Sequence, residues 1–399
     1  MFAVLALSAQ AAPPHFPLFK QCDTRWGSDE MGVPGAGPGE RDTVCHQGCA
    51  MSSLSMALSG WGIQIDGQET NPGSLNRWLA ANDGYACVGG DCNNLVLDAG
   101  LQLSRGHVQL IGEWGGSCCG GTAAKPSPDT IRSGLSSSSD GHLVFIAHVR
   151  NGTHFVLVTG AGVGDNFAVN DPGFSATTYA YADMSDIIVY TVFPPTLALL
   201  SKEMYPVFNQ GDYRWASDLI DTETVGAVGC LMSSISAALN GHGIAINVGG
   251  VLDANPGTLN AWLKTHDGYS ENDLIESAVP ALSPGHIAWN ESWSMHHAAD
   301  LSLPAVRALL DTGTHAVIAN VLKGRHFVLV VGTSATRDST TLYVSDSGFL
   351  RNSYDLVTDV VGWRIFNMTN AASRGETEYR APRAVLGGVY RAAGPLPST

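Results

Sequence analysis

Two cysteines stand in matching surroundings. Gly48-Cys49-Ala50-Met51-Ser52-Ser53 recurs as Gly229-Cys230-Leu231-Met232-Ser233-Ser234, and each cysteine opens an apolar segment with helical spacing, through Leu54, Ala57 and Leu58 in one and Ile235, Ala238 and Leu239 in the other. A sulfur in the first turn of a helix lies among unpaired backbone N–H groups at the positive end of the macrodipole, which favours the thiolate and suits a nucleophile. Gly60 and Gly241 are expected to stop the two helices.

A nucleophilic thiol needs a base, and the base needs a group to orient it. Downstream of each cysteine a histidine heads a β-branched apolar run, His154-Phe155-Val156-Leu157-Val158 and His326-Phe327-Val328-Leu329-Val330. A second run then ends in a carboxylate, at Asn170-Asp171-Pro172-Gly173 and at Ser345-Asp346-Ser347-Gly348. If the two runs form an antiparallel hairpin, closed by residues 160–164 or by the longer tip 333–339, His154 falls opposite Asp171 and His326 opposite Asp346 at the open end. A lone histidine at a strand start is more often a packing residue. Recurrence of the same His, Asp and Cys in the same order reverses that preference, although duplication alone also copies inert residues. Upstream, Gln21 and Gln210 lie in the paired segments Pro17–Trp26 and Pro206–Trp215. A glutamine amide there is either a donor to a developing oxyanion or a turn stabiliser.

The elements that must position these groups recur too. After each cysteine helix, Asn71-Pro72-Gly73-Ser74-Leu75-Asn76-Arg77-Trp78-Leu79 and Asn255-Pro256-Gly257-Thr258-Leu259-Asn260-Ala261-Trp262-Leu263 read as a turn and a short amphipathic helix. Further on, helix-like segments begin at Pro128 and Pro304, and strands are expected at 143–147 and 316–319. The copies diverge most between Cys87 and Lys125 and between Ser270 and Ala299, where loops beside a repeated core would carry selectivity or form a stapled surface. The expected organisation is a leader at 1–15, a first unit at 16–193, a linker at 194–203, a second unit at 204–366 and a tail at 367–399. Each unit is expected to be α+β, a helical part packed on an antiparallel sheet with the site in the cleft between them.

With 399 residues, 44% of them hydrophobic, the chain can bury sizeable cores, and a net charge of −15 argues against a nucleic-acid partner. No later stretch is long and apolar enough to span a bilayer. The run Phe2–Leu7 before Ala9-Gln10-Ala11 fits a cleaved signal, though no basic residue precedes it. Seven of the eight cysteines lie in the first half. Setting aside Cys49 and Cys230 leaves Cys22, Cys45, Cys87, Cys92, Cys118 and Cys119, enough for three disulfides with the pairing open. An inhibitory Cys45–Cys49 bond is a further alternative. A zinc site is disfavoured because the spacings match no usual ligand pattern, and the pair His296-His297 has no thiol or carboxylate at ligand spacing. Sequons at Asn151, Asn290 and Asn367 fit a glycoprotein in a secreted or endomembrane, including lysosomal, location.

The ordered set of Gln, Asp-x-Arg-Trp, Gly-Cys-x-Met-Ser-Ser, Asn-Pro-Gly-x-Leu-Asn-x-Trp-Leu, Gly-Tyr, His-Phe-Val-Leu-Val and Asp-Pro-Gly, the last becoming Asp346-Ser347-Gly348 in the second copy, resembles the papain-like cysteine peptidases related to the bacteriocin-leader-cleaving enzymes, the peptidase C-39-like family, in two tandem copies over about residues 16–193 and 203–366. The resemblance implies a papain-like fold in each copy. It places the nucleophile on Cys49 and Cys230, the base on His154 and His326, the orienting acid on Asp171 and Asp346, and the oxyanion amide on Gln21 and Gln210. A monomer acting on peptide or protein substrates, with no cofactor and no metal, is the corresponding expectation. Two other functions use the same residues: a non-catalytic protein that holds a peptide or cell-wall ligand in the cleft, and an acyltransferase in which an amine resolves the thioester.

Overall fold

The computed structural model describes residues 15–37, 39–115, 125–136, 142–193, 204–291, 301–334 and 339–369. The leader up to residue 14, the linker, Cys118-Cys119, Trp293, His296-His297 and the tail beyond 369 lie outside these residues.

Each cysteine begins its helix: α1 is Cys49–Gly60 and its counterpart Cys230–Gly241. A one-turn helix, Val44–Gln47 or Val225–Val228, precedes it, capped by the Thr43 or Thr224 side chain. A Cβ at the joining Gly48 or Gly229 would collide with the Val44 or Val225 carbonyl oxygen. Both long helices are buried almost all round, Ala50 to Leu58 and Cys230 to Leu239, so they are core helices rather than one-faced ones. The helices end at Gly60 and Gly241 as expected, but the capping glycine stands two residues further on. Gly62 (φ +72°) and Gly243 (φ +64°) take the left-handed conformation, and the next N–H, of Ile63 or Ile244, returns to the Leu58 or Leu239 carbonyl at 2.9 and 2.8 Å. Gly60 and Gly241 are glycine for another reason: the Phe16 and Tyr205 rings press on them.

The expected Asn-Pro-Gly turns are helix starts. In α2 (Pro72–Ala81) Asn71 caps the Ser74 N–H at 3.0 Å while the Ser74 hydroxyl accepts the Asn71 N–H at 2.9 Å. Asn255 and Thr258 repeat this reciprocal cap at Pro256–Lys264.

Each half builds a six-stranded antiparallel sheet. The first contains β1 (Val108–Gly115), β2 (His142–Val149), β3 (His154–Ala161), β4 (Asn166–Asn170), β5 (Thr178–Ala180) and β6 (Asp186–Val192), in the order β5-β4-β3-β2-β6-β1. The second contains β7 (Ile287–Trp289), β8 (His315–Val321), β9 (His326–Thr333), β10 (Thr341–Ser345), β11 (Ser353–Asp355) and β12 (Gly362–Met368), in the order β7-β12-β8-β9-β10-β11. The chain is therefore mixed helix and sheet, α+β, as the sequence suggests.

The central strands are apolar at successive positions because both faces are covered. In the first sheet Val144, Ile146, Phe155, Leu157, Ile188 and Tyr190 face the cysteine helix. Phe145, Ala147, Val156, Val158 and Val189 face the other way, with Ile131 of α3 (Pro128–Ser136). Ser53 Oγ donates to the Phe155 carbonyl and Ser234 Oγ to that of Phe327, both at 3.3 Å, so small residues bring each helix close to the strand that its histidine begins. The halves also touch. Phe193, just beyond β6, packs edge-on against Tyr343 at 5.8 Å, and the Asn352 amide donates to Thr191 Oγ1 at 3.1 Å.

The hairpin register differs from the simple expectation. A β-bulge between Ala168 and Val169 shifts the β3–β4 pairing so that Asn170 sits opposite Leu157, and a bulge between Val330 and Gly332 sets Ser345 opposite Leu329. Neither His154 with Asp171 nor His326 with Asp346 forms a ladder pair. The carboxylates reach the imidazoles from the turns that follow β4 and β10.

Candidate active site

Asp171 is almost fully buried just beyond β4, in a turn that it organises itself. Its Oδ1 accepts His154 Nε2 at 2.7 Å, the Gly173 N–H at 2.9 Å and the Phe174 N–H at 2.8 Å; its Oδ2 accepts the Tyr179 hydroxyl at 2.9 Å. Asp346 repeats the arrangement, with Oδ1 accepting His326 Nε2 at 2.7 Å and the Gly348 and Phe349 N–H groups at 2.8 and 2.9 Å, and Oδ2 accepting the Tyr354 hydroxyl at 2.7 Å. Replacing Pro172 by Ser347 leaves the turn equally well bonded. The Phe174 and Phe349 rings stand edge-on to the two imidazoles at 4.9 Å.

With Nε2 held by the carboxylate, each imidazole also feels its sulfur: Cys49 lies near enough to His154, and Cys230 to His326, to favour the charged ring. Both thiols are free of disulfides. Burial pushes each imidazole towards its neutral form, but the carboxylate and the sulfur outweigh it. The hydrogen bond to Asp171, then Cys49, raise His154 from 6.5 to about 9; the charge and hydrogen bond of Asp346, then Cys230, raise His326 from 6.5 to about 10. Asp171 moves the other way. Burial would raise it, yet the His154 bond and the two backbone N–H groups bring it from 3.8 down to about 2. At neutral pH the first site holds an imidazolium between a carboxylate and a sulfur.

Gln21 and Gln210 complete the constellation. The Gln21 backbone N–H donates to the Pro172 carbonyl and that of Gln210 to Ser347, tying each glutamine to the turn of its acid. Gln21 Nε2 donates to the Cys45 carbonyl at 2.6 Å and Gln210 Nε2 to that of Gly226 at 3.0 Å, four residues before each cysteine. One of the two amide hydrogens is thereby used. A Cβ at Gly173 would lie 2.8 Å from His154 Cε1 and 3.3 Å from Gln21 Oε1; at Gly348 the corresponding distances are 2.9 and 3.1 Å. Glycine is what allows imidazole and amide to converge.

All eight residues singled out in the sequence thus come together as two sets of four. Pattern reading missed Tyr179 and Tyr354, Phe174 and Phe349, and the two glycines. Their signal was recurrence: Gly-Phe follows each Asp at the same offset, and a tyrosine stands eight residues beyond it.

Among the described residues the cystines are Cys22–Cys45 and Cys87–Cys92, so Cys45 does not block Cys49. The second copy has Gly211 and Gly226 where the first has Cys22 and Cys45. Beside Cys49 lies a cleft of about 290 Å³ lined by Met51, Leu95, His148, Thr153 and Phe155 among others; beside Cys230 lies one of about 300 Å³ bordered by Asp273, Arg325 and Phe349. Among the described residues no group of three or more His, Cys, Asp or Glu side chains is placed to hold a metal ion, and no helix is long and apolar enough to cross a membrane. No protein-family model matches the chain, and no curated protein is similar to it in sequence.

Proposed function

We propose that the chain is a tandem thiol hydrolase of papain-like type that cleaves peptide or isopeptide bonds, each copy working with its own Cys, His, Asp and Gln. The observation that carries this reading is the independent repetition of one arrangement: a sulfur on the first residue of a helix, an imidazole whose Nε2 lies 2.7 Å from a buried carboxylate, and an amide tied to the acid's turn. Duplication copies residues, but it does not by itself preserve a hydrogen-bonded set once flanking loops, turn residues and disulfides have changed.

In the proposed reaction the Cys49 thiolate attacks the scissile carbonyl carbon and the carbonyl oxygen becomes an oxyanion. The second Gln21 N–H and the N-terminal N–H groups of α1 stabilise that charge. The His154 imidazolium gives its proton to the leaving amine as the C–N bond breaks. Neutral His154 then takes a proton from water, which opens the thioester and regenerates the thiolate. Asp171 holds the ring and the charge throughout. Cys230, His326, Asp346 and Gln210 act likewise. The two cystines support an oxidising, secreted or lumenal setting.

Mild iodoacetamide at pH 6 tests the thiolate: both cysteines should label promptly, and Cys49→Ala and Cys230→Ala should each remove one labelled site and one share of turnover on fluorogenic peptides. Slow labelling of both would overturn the hydrolase in favour of a ligand-holding protein.

A further inference from the structure

The first cleft contains a second buried His–Asp pair that the reaction does not use. His148 and Asp186 face each other across β2 and β6, with His148 Nδ1 donating to Asp186 Oδ2 at 3.0 Å; the residues are 6% and 0% exposed. Ser185 Oγ donates to the same oxygen at 3.0 Å, and the Lys125 ammonium adds its charge to the Asp186 surroundings. The imidazole lies flat on Phe155, with 3.9 Å between centroids and 3° between planes, and borders the cleft beside Cys49. With Nδ1 turned to the carboxylate, Nε2 is the nitrogen left for the cleft that His148 borders, and it is an acceptor when the ring is neutral.

The fold does not need this pair. In the second copy the register places Asn320 and Gly362 at the same two positions, opposite each other across β8 and β12, in a sheet of the same order. Replacing both members of a buried hydrogen-bonded pair together is commonly near neutral for stability, whereas removing one is not. A histidine hydrogen-bonded at one nitrogen, stacked, and bordering a cleft next to the nucleophile is instead what selectivity requires.

We infer that His148 is the specificity-determining residue of the first site. Its Nε2 accepts a hydrogen bond from a substrate side chain that carries a hydroxyl or amide tip on an apolar stem, the stem lying along Met51, Leu95 and Phe155. Asp186 is a positioning residue that fixes the tautomer. This rests on the thiol-hydrolase reading for the peptide nature of the ligand. The second site, with Asn320 at that position and Arg325 and Asp273 at its rim, takes a different side chain.

The test uses the full chain with Cys230→Ala and tetrapeptides paired as Gln/Met, Thr/Val and Tyr/Phe at each position. At the position that enters the cleft, the donor-tipped member should be preferred about three- to tenfold, the worth of one hydrogen bond to a buried neutral acceptor, chiefly through KM. His148→Asn combined with Asp186→Gly, which installs the second copy's pair and leaves no buried charge unpaired, should bring the ratio to about one. The reverse exchange, Asn320→His with Gly362→Asp on a Cys49→Ala background, should create the preference at the second site. The same peptides immobilised and probed with the Cys49→Ala/Cys230→Ala protein report binding without turnover, so a failed hydrolase reading would not hide the result. Equal binding of the paired peptides, or a preference that survives the double exchange at 148 and 186, overturns the inference.

Discussion

Replacing Asp171 by Asn tests the charge arrangement of the first site with little change of shape. The amide oxygen can still accept the Gly173 and Phe174 N–H groups, and only the carboxylate charge and one acceptor are lost. In the native protein that charge overcomes the effect of burial and holds His154 at about 9. Without it only Cys49 is left to oppose burial, so the ring should fall from about 9 by about 1 pH unit or more, at about 1.4 kcal/mol per unit. The imidazolium–thiolate pair should then be about tenfold or more less populated relative to the neutral pair. The assay is twofold: imidazole NMR titration of His154, and the rate of Cys49 alkylation by iodoacetamide in a Cys230→Ala background at neutral pH. The sign in stability also follows. A raised histidine contributes fully below its unfolded value of 6.5 and loses that contribution as pH rises through about 9; a lowered Asp171 contributes above 3.8 and loses it as pH falls through about 2. The stability gap between native and Asp171→Asn should therefore be flat from about pH 4 to 6.5 and close through about pH 9. A His154 titration that stays near 9 in the variant, or an unchanged alkylation rate, would refute the reasoning.

Gly173→Ala and Gly348→Ala should each displace the imidazole, since the added methyl would lie 2.8 or 2.9 Å from its Cε1; turnover at that site should fall at least tenfold while the far-ultraviolet circular dichroism stays native. Removing the Cys22–Cys45 bond by Cys22→Ala/Cys45→Ala should cost about 3 kcal/mol of first-half stability in denaturant titration and loosen Gln21, with Cys230 labelling unaffected because glycines stand at the matching positions. Asn71→Ala and Asn255→Ala remove equivalent reciprocal caps and should each cost about 1 kcal/mol, read as matched shifts in urea midpoint. Tyr179→Phe should weaken Asp171 by one hydrogen bond, costing about 1 kcal/mol and lowering the His154 titration by less than Asp171→Asn does.

Much of the site was legible because its signals are local and duplicated. Cys49 and Cys230 sit where glycine, helix period and position coincide, and His154 and His326 head runs too β-branched and apolar to be anything but buried strands. The outer parts of the sheets were not legible in the same way. Strands Val108–Gly115 and Asp186–Val192 pair with each other across a long sequence separation, and the first lies inside the segment that reads as a divergent loop. The hairpin register escaped because the turn closes elsewhere than the Gly-rich loop suggests: Phe167 already sits opposite Ala161, and the bulge at Ala168–Val169 moves the pairing by only one residue. Asn-Pro-Gly reads as a turn until the Ser or Thr three residues on is recognised as the reciprocal partner of the cap. His148 is hidden for a simpler reason: one polar residue at the end of an apolar strand looks like its frayed edge, and its partner Asp186 is local only in space.

The contacts of Phe193 and Asn352 bear on how the duplicated chain has endured. A ring from the first half is embedded in the core of the second, and the segment that carries Phe349 onto its imidazole is anchored on a strand of the first through Asn352. Severing the polypeptide between the halves would leave a vacant apolar socket around Tyr343 and an unanchored turn beside His326. A change at this seam in one half is therefore felt in the other, and a substitution made in the first sheet reaches the turn beside the second imidazole.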